Sequence, residues 1–324
     1  MNLTKRHDHL AFFRRLSFAV ICMFALFSST GRGQSATALA APAAAAVEAP
    51  KATPEPAPPL TAAQKAILQG PLSKFVSDLA ASTGIQLVPI PAGTFTMGSD
   101  NRVSGPPRDA HIRQTTLEVT WVKLTKDFLL GSTLVTQGEY EAVTGKNPSF
   151  FTKAGKNAPV ECVSWGEAQN FCDRLTERER SAGRLPVGHA FTLPTEAQWD
   201  YASRAEVGPP LETNKETVDA MGWHEYNSGQ STHPVASKPP NAWGLYDMHG
   251  NVWEWCEDGF QSQFPGGAVI DPILGAGSDE RVIRGGSWSN RWWDVGDYEL
   301  RMPMQGGTRN GNLGFRVALI SIAP

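Results

Sequence analysis

The chain is poor in the residues that most often carry redox or metal chemistry. Its 324 residues include four cysteines and seven histidines, and no CxxC, HExxH, GxSxG or Walker-type loop occurs. Those absences remove the usual signatures of thiol exchange, zinc proteolysis, serine hydrolysis and nucleotide hydrolysis. A membrane-spanning run is missing too. The apolar stretch Leu16–Phe27 covers twelve residues, short of the roughly 20 that cross a bilayer. Charged residues make up 19% of the chain and form no Lys/Arg run, which argues against nucleic acid or an anionic membrane as partner.

What stands at the front reads as an export signal. Lys5, Arg6, Arg14 and Arg15 precede or open the apolar stretch, and Ala38-Leu39-Ala40 offers small residues for cleavage. Residues 1–40 are expected to be a signal peptide, with no transmembrane anchor once it is removed. Its five basic residues and one acidic residue leave with it, so the net charge moves from −3 to −7. An exported, periplasmic protein is the expectation. Cys162, Cys172 and Cys256 remain, an odd number that permits one disulfide at most in an oxidising compartment. A role as small buried hydrophobes suits all three.

Residues 41–59 form an Ala/Pro tether that cannot bury a core. Residues 60–84 place Leu60, Ile67, Leu68, Leu72, Phe75, Val76 and Leu79 at helical spacing, broken at Gly70-Pro71. Two short helices are expected here, docked on the main body or forming a stalk. Residues 85–324 carry short apolar runs and dense Gly/Pro punctuation. Strands are expected near Gln86–Ile90, Thr94–Met97, Phe128–Leu130 and Arg281–Arg284. Helices are expected over Thr136–Val143, from Ser164 through Leu175, and over Thr195–Arg204. Ser164 with Glu167, and Thr195 with Gln198, have capping-box spacing. A loop-rich body of this size needs cross-linking by aromatic packing, bound ions, or both.

Seven segments occur in a fixed order: LVPIPAGTFTMGS (87–99), VTQGEYEAVTG (135–145), PVECVSWGEAQNFCDRL (159–175), FTLPTEAQWDYASR (191–204), HPVASKPPNAWGLYDMHGNVWEWCED (233–258), RVIRGGSW (281–288) and NLGFRV (312–317). With these, the chain resembles the formylglycine-generating enzyme family, the sulfatase-modifying factors. The resemblance implies a compact, loop-rich α+β fold related to C-type lectins. It also implies an oxidase that binds copper(I) through two cysteines after the GGS motif. Here those two positions hold Asn290 and Val295, so copper-dependent formylglycine formation is not expected, although Ser287 of the motif is retained. A family disulfide is lost as well, since the partner position of Cys172 is Val317. The family's calcium site would fall on Asp247, Gly250, Val252 and Glu254, hard oxygen donors that suit calcium. The competing reading is that Asp247 and Glu254 only brace the turn.

Two further groups stand out. His224, Glu225 and His249 are the candidates for a two-histidine, one-carboxylate iron site, against the reading that each histidine is structural. Trp288, Asn290, Arg291, Trp292, Trp293, Tyr298, Arg301 and Arg309 crowd the stretch where the family has its substrate groove. Aromatics with arginine are what a recognition surface uses. The alternative is that Trp292 and Trp293 fill the space left by the cysteines. Three functions follow: an exported module that recognises a peptide, protein or glycan; a periplasmic enzyme of altered, oxidoreductase-like chemistry, similar to the branch that matures the pyoverdine siderophore; or an accessory of an envelope or secretion machine. For the enzyme, Ser287, Asp294, Asp297 and Glu299 are the candidate catalytic groups.

Overall fold

The computed structural model describes residues 56–98, 119–205 and 214–322. The expected signal peptide and residues 41–55 of the tether lie outside these residues. The first two helices are α1 (Ala62–Ile67) and α2 (Pro71–Thr83), interrupted at Gly70-Pro71 as the spacing predicts. They dock on the body. Phe75 and Leu79 of α2 are 1% and 0% exposed and belong to the larger core cluster. Burying two such side chains contributes on the order of 3–6 kcal/mol, so residues 60–84 are part of the fold and not a stalk.

Strands β1 (Leu87–Ile90), β2 (Gly93–Met97), β3 (Thr120–Leu124) and β4 (Phe128–Gly131) come next. Helices α3 (Gln137–Thr144) and α4 (Trp165–Ser181) follow, then β5 (His189–Thr192), α5 (Glu196–Arg204) and α6 (Lys215–Met221). Thr136, Ser164 and Thr195 each close a full capping box with Glu139, Glu167 and Gln198, which satisfies N–H groups that would otherwise lack partners. The last third supplies β6 (Trp253–Gly259), β7 (Gly267–Ile270), β8 (Glu280–Arg284), the one-turn α7 (Trp292–Val295), β9 (Arg301–Gln305), β10 (Leu313–Gly314) and β11 (Ala318–Ser321).

The strands form three small sheets, ordered β1-β4-β11-β5, β10-β6-β8-β9 and β2-β3-β7. Between the first two sheets and the helices lies a core rich in aromatics. Tyr140 stacks on Phe171 at 5.4 Å, and Phe171 meets Phe315 edge-on at 5.3 Å. Trp255 on β6 is fully buried and its indole donates to the Val163 carbonyl at 2.8 Å. Cys162, Cys172 and Cys256 are free thiols. No helix among the described residues is long and apolar enough to cross a membrane.

Charge cross-links the interior. On β6, Glu254 receives Arg316 through Nε at 2.6 Å and Nη2 at 2.7 Å, with both side chains fully buried. Glu196, the first residue of α5, receives Arg301 through two bonds of 2.6 and 2.7 Å. Asp200, one turn on, receives Arg284 at 2.7 Å. These pairs join segments far apart in sequence. They tie α5 and the β6–β8 sheet to the chain on both sides of the GGSW turn.

Candidate recognition site around the GGSW turn

The turn leaves β8 at Arg284 and doubles back at Gly285 and Gly286, both at positive φ (+89° and +72°). A Cβ on Gly286 would lie 3.1 Å from the Val295 side chain, so only glycine fits both the backbone and the packing. Main-chain bonds hold the turn from outside. Gly250 N donates to Gly285 O, Trp288 N to Asn251 O, and Glu225 N to Asn290 O, at 2.8, 2.9 and 2.8 Å. Ser228 adds an Oγ bond to the Trp288 carbonyl at 2.9 Å.

At the two positions where the resemblance implies copper ligands, the side chains do other work. Ser287, fully buried, donates to Asn290 Oδ1 at 2.6 Å and meets Ser289 Oγ at 3.1 Å. Val295 is 1% exposed and packs on Gly286. An amide oxygen already hydrogen-bonded and a hydrocarbon do not fit copper(I), which takes soft thiolates. Burial pushes the Cys172 and Cys256 thiols up, well above the ordinary range, and raises Cys162 to about 12 with help from Glu161. None of them is a ready thiolate.

The expected groove residues divide. Trp288 donates its indole N–H to Gly311 O at 3.0 Å and stands edge-on to Phe151 at 5.3 Å, with exposed Phe150 next in line. Trp292 and Trp293 meet edge-on at 5.5 Å and both are half-buried, so neither simply fills a hole. Tyr226 lies 6.2 Å from the Trp293 ring, and the Arg291 guanidinium sits over that ring at 5.2 Å. These residues form two aromatic groups, one built on Trp288 just before Ser289 and Asn290 in the chain and one on Trp292 and Trp293 just after them. Tyr226, Phe150 and Phe151 were not expected from the sequence, because they arrive from other segments.

Arg301 corrects the expectation. It is buried against Glu196 and bonds the Gln261 carbonyl, so it braces the interior and is not part of the exposed surface. Arg309 pairs through two bonds with Glu167 at the start of α4, at 2.9 and 3.0 Å. Asp294 is buried. Asp297 accepts from Glu299 N at 3.0 Å inside a local turn. Tyr298 is half-buried, edge-on to His249, and its carbonyl receives Arg284. Of the acidic cluster that looked like acid–base machinery, Asp294 is turned into the fold, whereas Asp297 and Glu299 stay half-buried.

The iron candidates also take other partners. His224 is fully buried; its Nδ1 accepts from Tyr226 N at 3.3 Å, which leaves the proton on Nε2 to donate to Asp219 Oδ1 at 2.7 Å. Burial lowers the His224 pKa, so the neutral ring persists. Glu225 is exposed, and His249 Nδ1 bonds the Val295 carbonyl at 3.0 Å. With both nitrogens of His224 in use, these residues do not fit an iron centre. The Asp219–His224 pair instead fixes the loop that presents Tyr226.

The calcium candidates fit in one part. Asp247 is 3% exposed and its partners are neutral N–H groups, Ala236 at 2.8 Å and Asn251 at 3.3 Å. Burial raises its pKa to about 6, so the carboxylate is poorly solvated and a bound cation would favour its charged form. Gly250 and Asn251 turn the chain beside it, at φ of +80° and +63°. Glu254 differs from the expectation: it sits on strand β6, and Arg316 occupies both of its oxygens.

Mixed helices and small sheets around a loop-built turn define a fold shared with several solved proteins. Treponema denticola variable protein 1 superposes with a TM-score of 0.61 at 29% identity, covering 72% of this chain and 94% of that one. PvdO from Pseudomonas aeruginosa superposes with a TM-score of 0.58 at 25% identity, covering 72% and 93%. The formylglycine-generating enzyme of Mus musculus is 25% identical over 291 residues, 72% of this chain and 74% of that protein. The family description "Sulfatase-modifying factor enzyme 1-like domain" matches residues 74–320, and the chain belongs to that family.

Proposed function

We propose that this protein is an exported recognition module of the sulfatase-modifying factor family, which grips a peptide, protein or glycan through the aromatic groove beside the GGSW turn and performs no copper-dependent oxidation. One observation carries the reading. The two ligand positions hold a hydrogen-bonded Asn290 and a buried Val295, while Phe150, Trp288, Tyr226, Trp293 and Arg291 gather around the same turn. Rigid aromatics supply contact area at small entropic cost. Calcium, on this proposal, is structural: Asp247 with the main-chain oxygens of Gly250 and Val252 would hold it and lock the turn that feeds Gly285.

The test is a screen of the full chain against peptide and glycan arrays, repeated with Tyr226→Ala and Trp293→Ala. Captured ligands should be lost in both variants while the melting temperature stays within about 2 °C for Tyr226→Ala, whose side chain is 54% exposed, and falls by no more than about 5 °C for the half-buried Trp293. Oxygen consumption by copper-loaded protein with a thiol peptide would sink the reading. The likeness to PvdO favours a second one, a periplasmic enzyme of altered chemistry on the same scaffold. It predicts a chemically changed product after incubation with the captured ligand, where recognition alone predicts none.

A further inference from the structure

A cleft of about 300 Å³ is lined by no residue of the GGSW turn. Strands β6 and β8 run antiparallel, with Glu254 opposite Arg284 and Gly259 opposite Arg281. The GGSW turn continues from Arg284, whereas Glu257, a lining residue of the cleft, lies toward the other end of the pair. The two sites are therefore separate.

The wall is mostly apolar, formed by Leu124, Phe128, Leu193, Ile273 and Ile320, with Ile273 61% exposed at the lip. The four charged lining residues are Lys126, Asp127, Glu257 and Asp271, three of them acidic. Asp127 and Asp271 are already bonded to the main-chain N–H groups of Ala92 and Thr125. Glu257 is different. One of its oxygens, Oε2, accepts from Gln169 Nε2 and Thr192 Oγ1, both neutral. Oε1 takes no donor, and no cation reaches ion-pair distance of the carboxylate, among the described residues. The Arg281 guanidinium is spent on the Glu257 carbonyl and on the face of Trp165. Burial pushes the Glu257 carboxyl up, which a bound cation would reverse.

We propose that this cleft binds a small organic ammonium ion, an aliphatic amine whose alkyl stem lies on Phe128, Ile273 and Ile320 and whose charged end pairs with Glu257. The half-buried carboxylate has no cation at ion-pair distance among the described residues, Arg281 attracting it only from further off, and the wall beside it removes hydrocarbon from water. A ligand carrying both features satisfies both surfaces at once, and the volume suits a stem of a few carbons.

Calorimetric titration of the full chain with n-pentylamine tests this, with pentan-1-ol and ammonium chloride at matched ionic strength as controls. The amine should bind, and each control, lacking one half of the chemistry, should bind about tenfold or more weakly. Glu257→Gln keeps the shape and should weaken the amine about tenfold. Ile273→Ser, on the exposed lip, should weaken it without loss of folding and decides the matter where Glu257→Gln does not fold. Trp293→Ala should leave amine binding unchanged, which separates this cleft from the groove. Equal binding of amine and alcohol, no loss in either cleft variant, or no binding of the amine at all overturns the proposal.

Discussion

Replacing Arg316 by Met should be among the most damaging single changes outside the groove. Its guanidinium holds both oxygens of Glu254, the Gly131 carbonyl at 3.0 Å and the Tyr246 carbonyl at 3.0 Å, all without access to water. Methionine fills much of the same volume and supplies no donor. Leaving a buried carboxylate without its partner costs about 3–5 kcal/mol. The two stranded carbonyls add roughly 1 kcal/mol between them after relaxation. About 5 kcal/mol at roughly 2–4 °C per kcal/mol lowers the midpoint by about 10–20 °C. Thermal unfolding followed by tryptophan fluorescence reads this directly, given ten tryptophans. Adding Glu254→Gln removes the orphaned charge, so the double variant should recover about 2 kcal/mol of the loss. A single variant that loses less than about 1 kcal/mol, or a double variant no better than the single, would refute the reasoning.

Three other outcomes follow from the interior. Asp258 is pushed up to about 7, first by burial and then by Glu196; its folded pKa lies above the ordinary aspartate value of 3.8, so the stability it contributes is complete below 3.8 and is lost as pH rises toward 7. Urea unfolding across that window should show a slope in the native protein that Asp258→Asn removes. Calcium should raise the melting point by an amount that grows with concentration, about 2.7 kcal/mol at a hundredfold excess over its dissociation constant, and Asp247→Ala should abolish the effect; a chelator that changes nothing in the native protein refutes the calcium proposal. Gly250→Ala should destabilise by about 3 kcal/mol or more, because a Cβ there would meet the Trp223 carbonyl oxygen at 2.1 Å; denaturant midpoints check it.

Local chemistry was legible in the chain, and partner choice was not. Ser164 with Glu167 and Thr195 with Gln198 announce their helices because a capping box is complete within four residues. The Gly70-Pro71 break shows for the same reason. The ordered motifs carry the family because they include the turn glycines and buried aromatics that the fold cannot exchange. Glu254 and Arg301 were misplaced because their partners lie 62 and 105 residues away. A charged residue inside an apolar segment, WEW or GFR, is the signal that could have marked a buried pair. Sequence spacing alone does not say which charge answers it. Tyr226 and Phe150 escaped for a related reason: a groove assembled from separate loops has no contiguous pattern.

This burial and pairing of charge changes what the groove can be. Arg301 is buried with Glu196, Arg309 is paired with Glu167, Asp294 is buried, and Arg291 lies over Trp293. The Arg309–Glu167 pair stays at the surface but neutralises itself, and neutral polar groups stand beside the rings, with Asn312 bonded to Ser289 at 3.0 Å. Attraction through exposed charges separated by water is screened within about 8–10 Å at ordinary salt, whereas apolar and aromatic contact is not. Ligand capture through Tyr226, Trp288 and Trp293 should therefore change by less than about threefold between low and high salt. A groove driven by its arginines would lose about tenfold or more over the same range. Surface-plasmon titration of a captured ligand at several salt concentrations distinguishes the two, and a steep salt dependence would return Arg291 and Arg309 to the centre of the site.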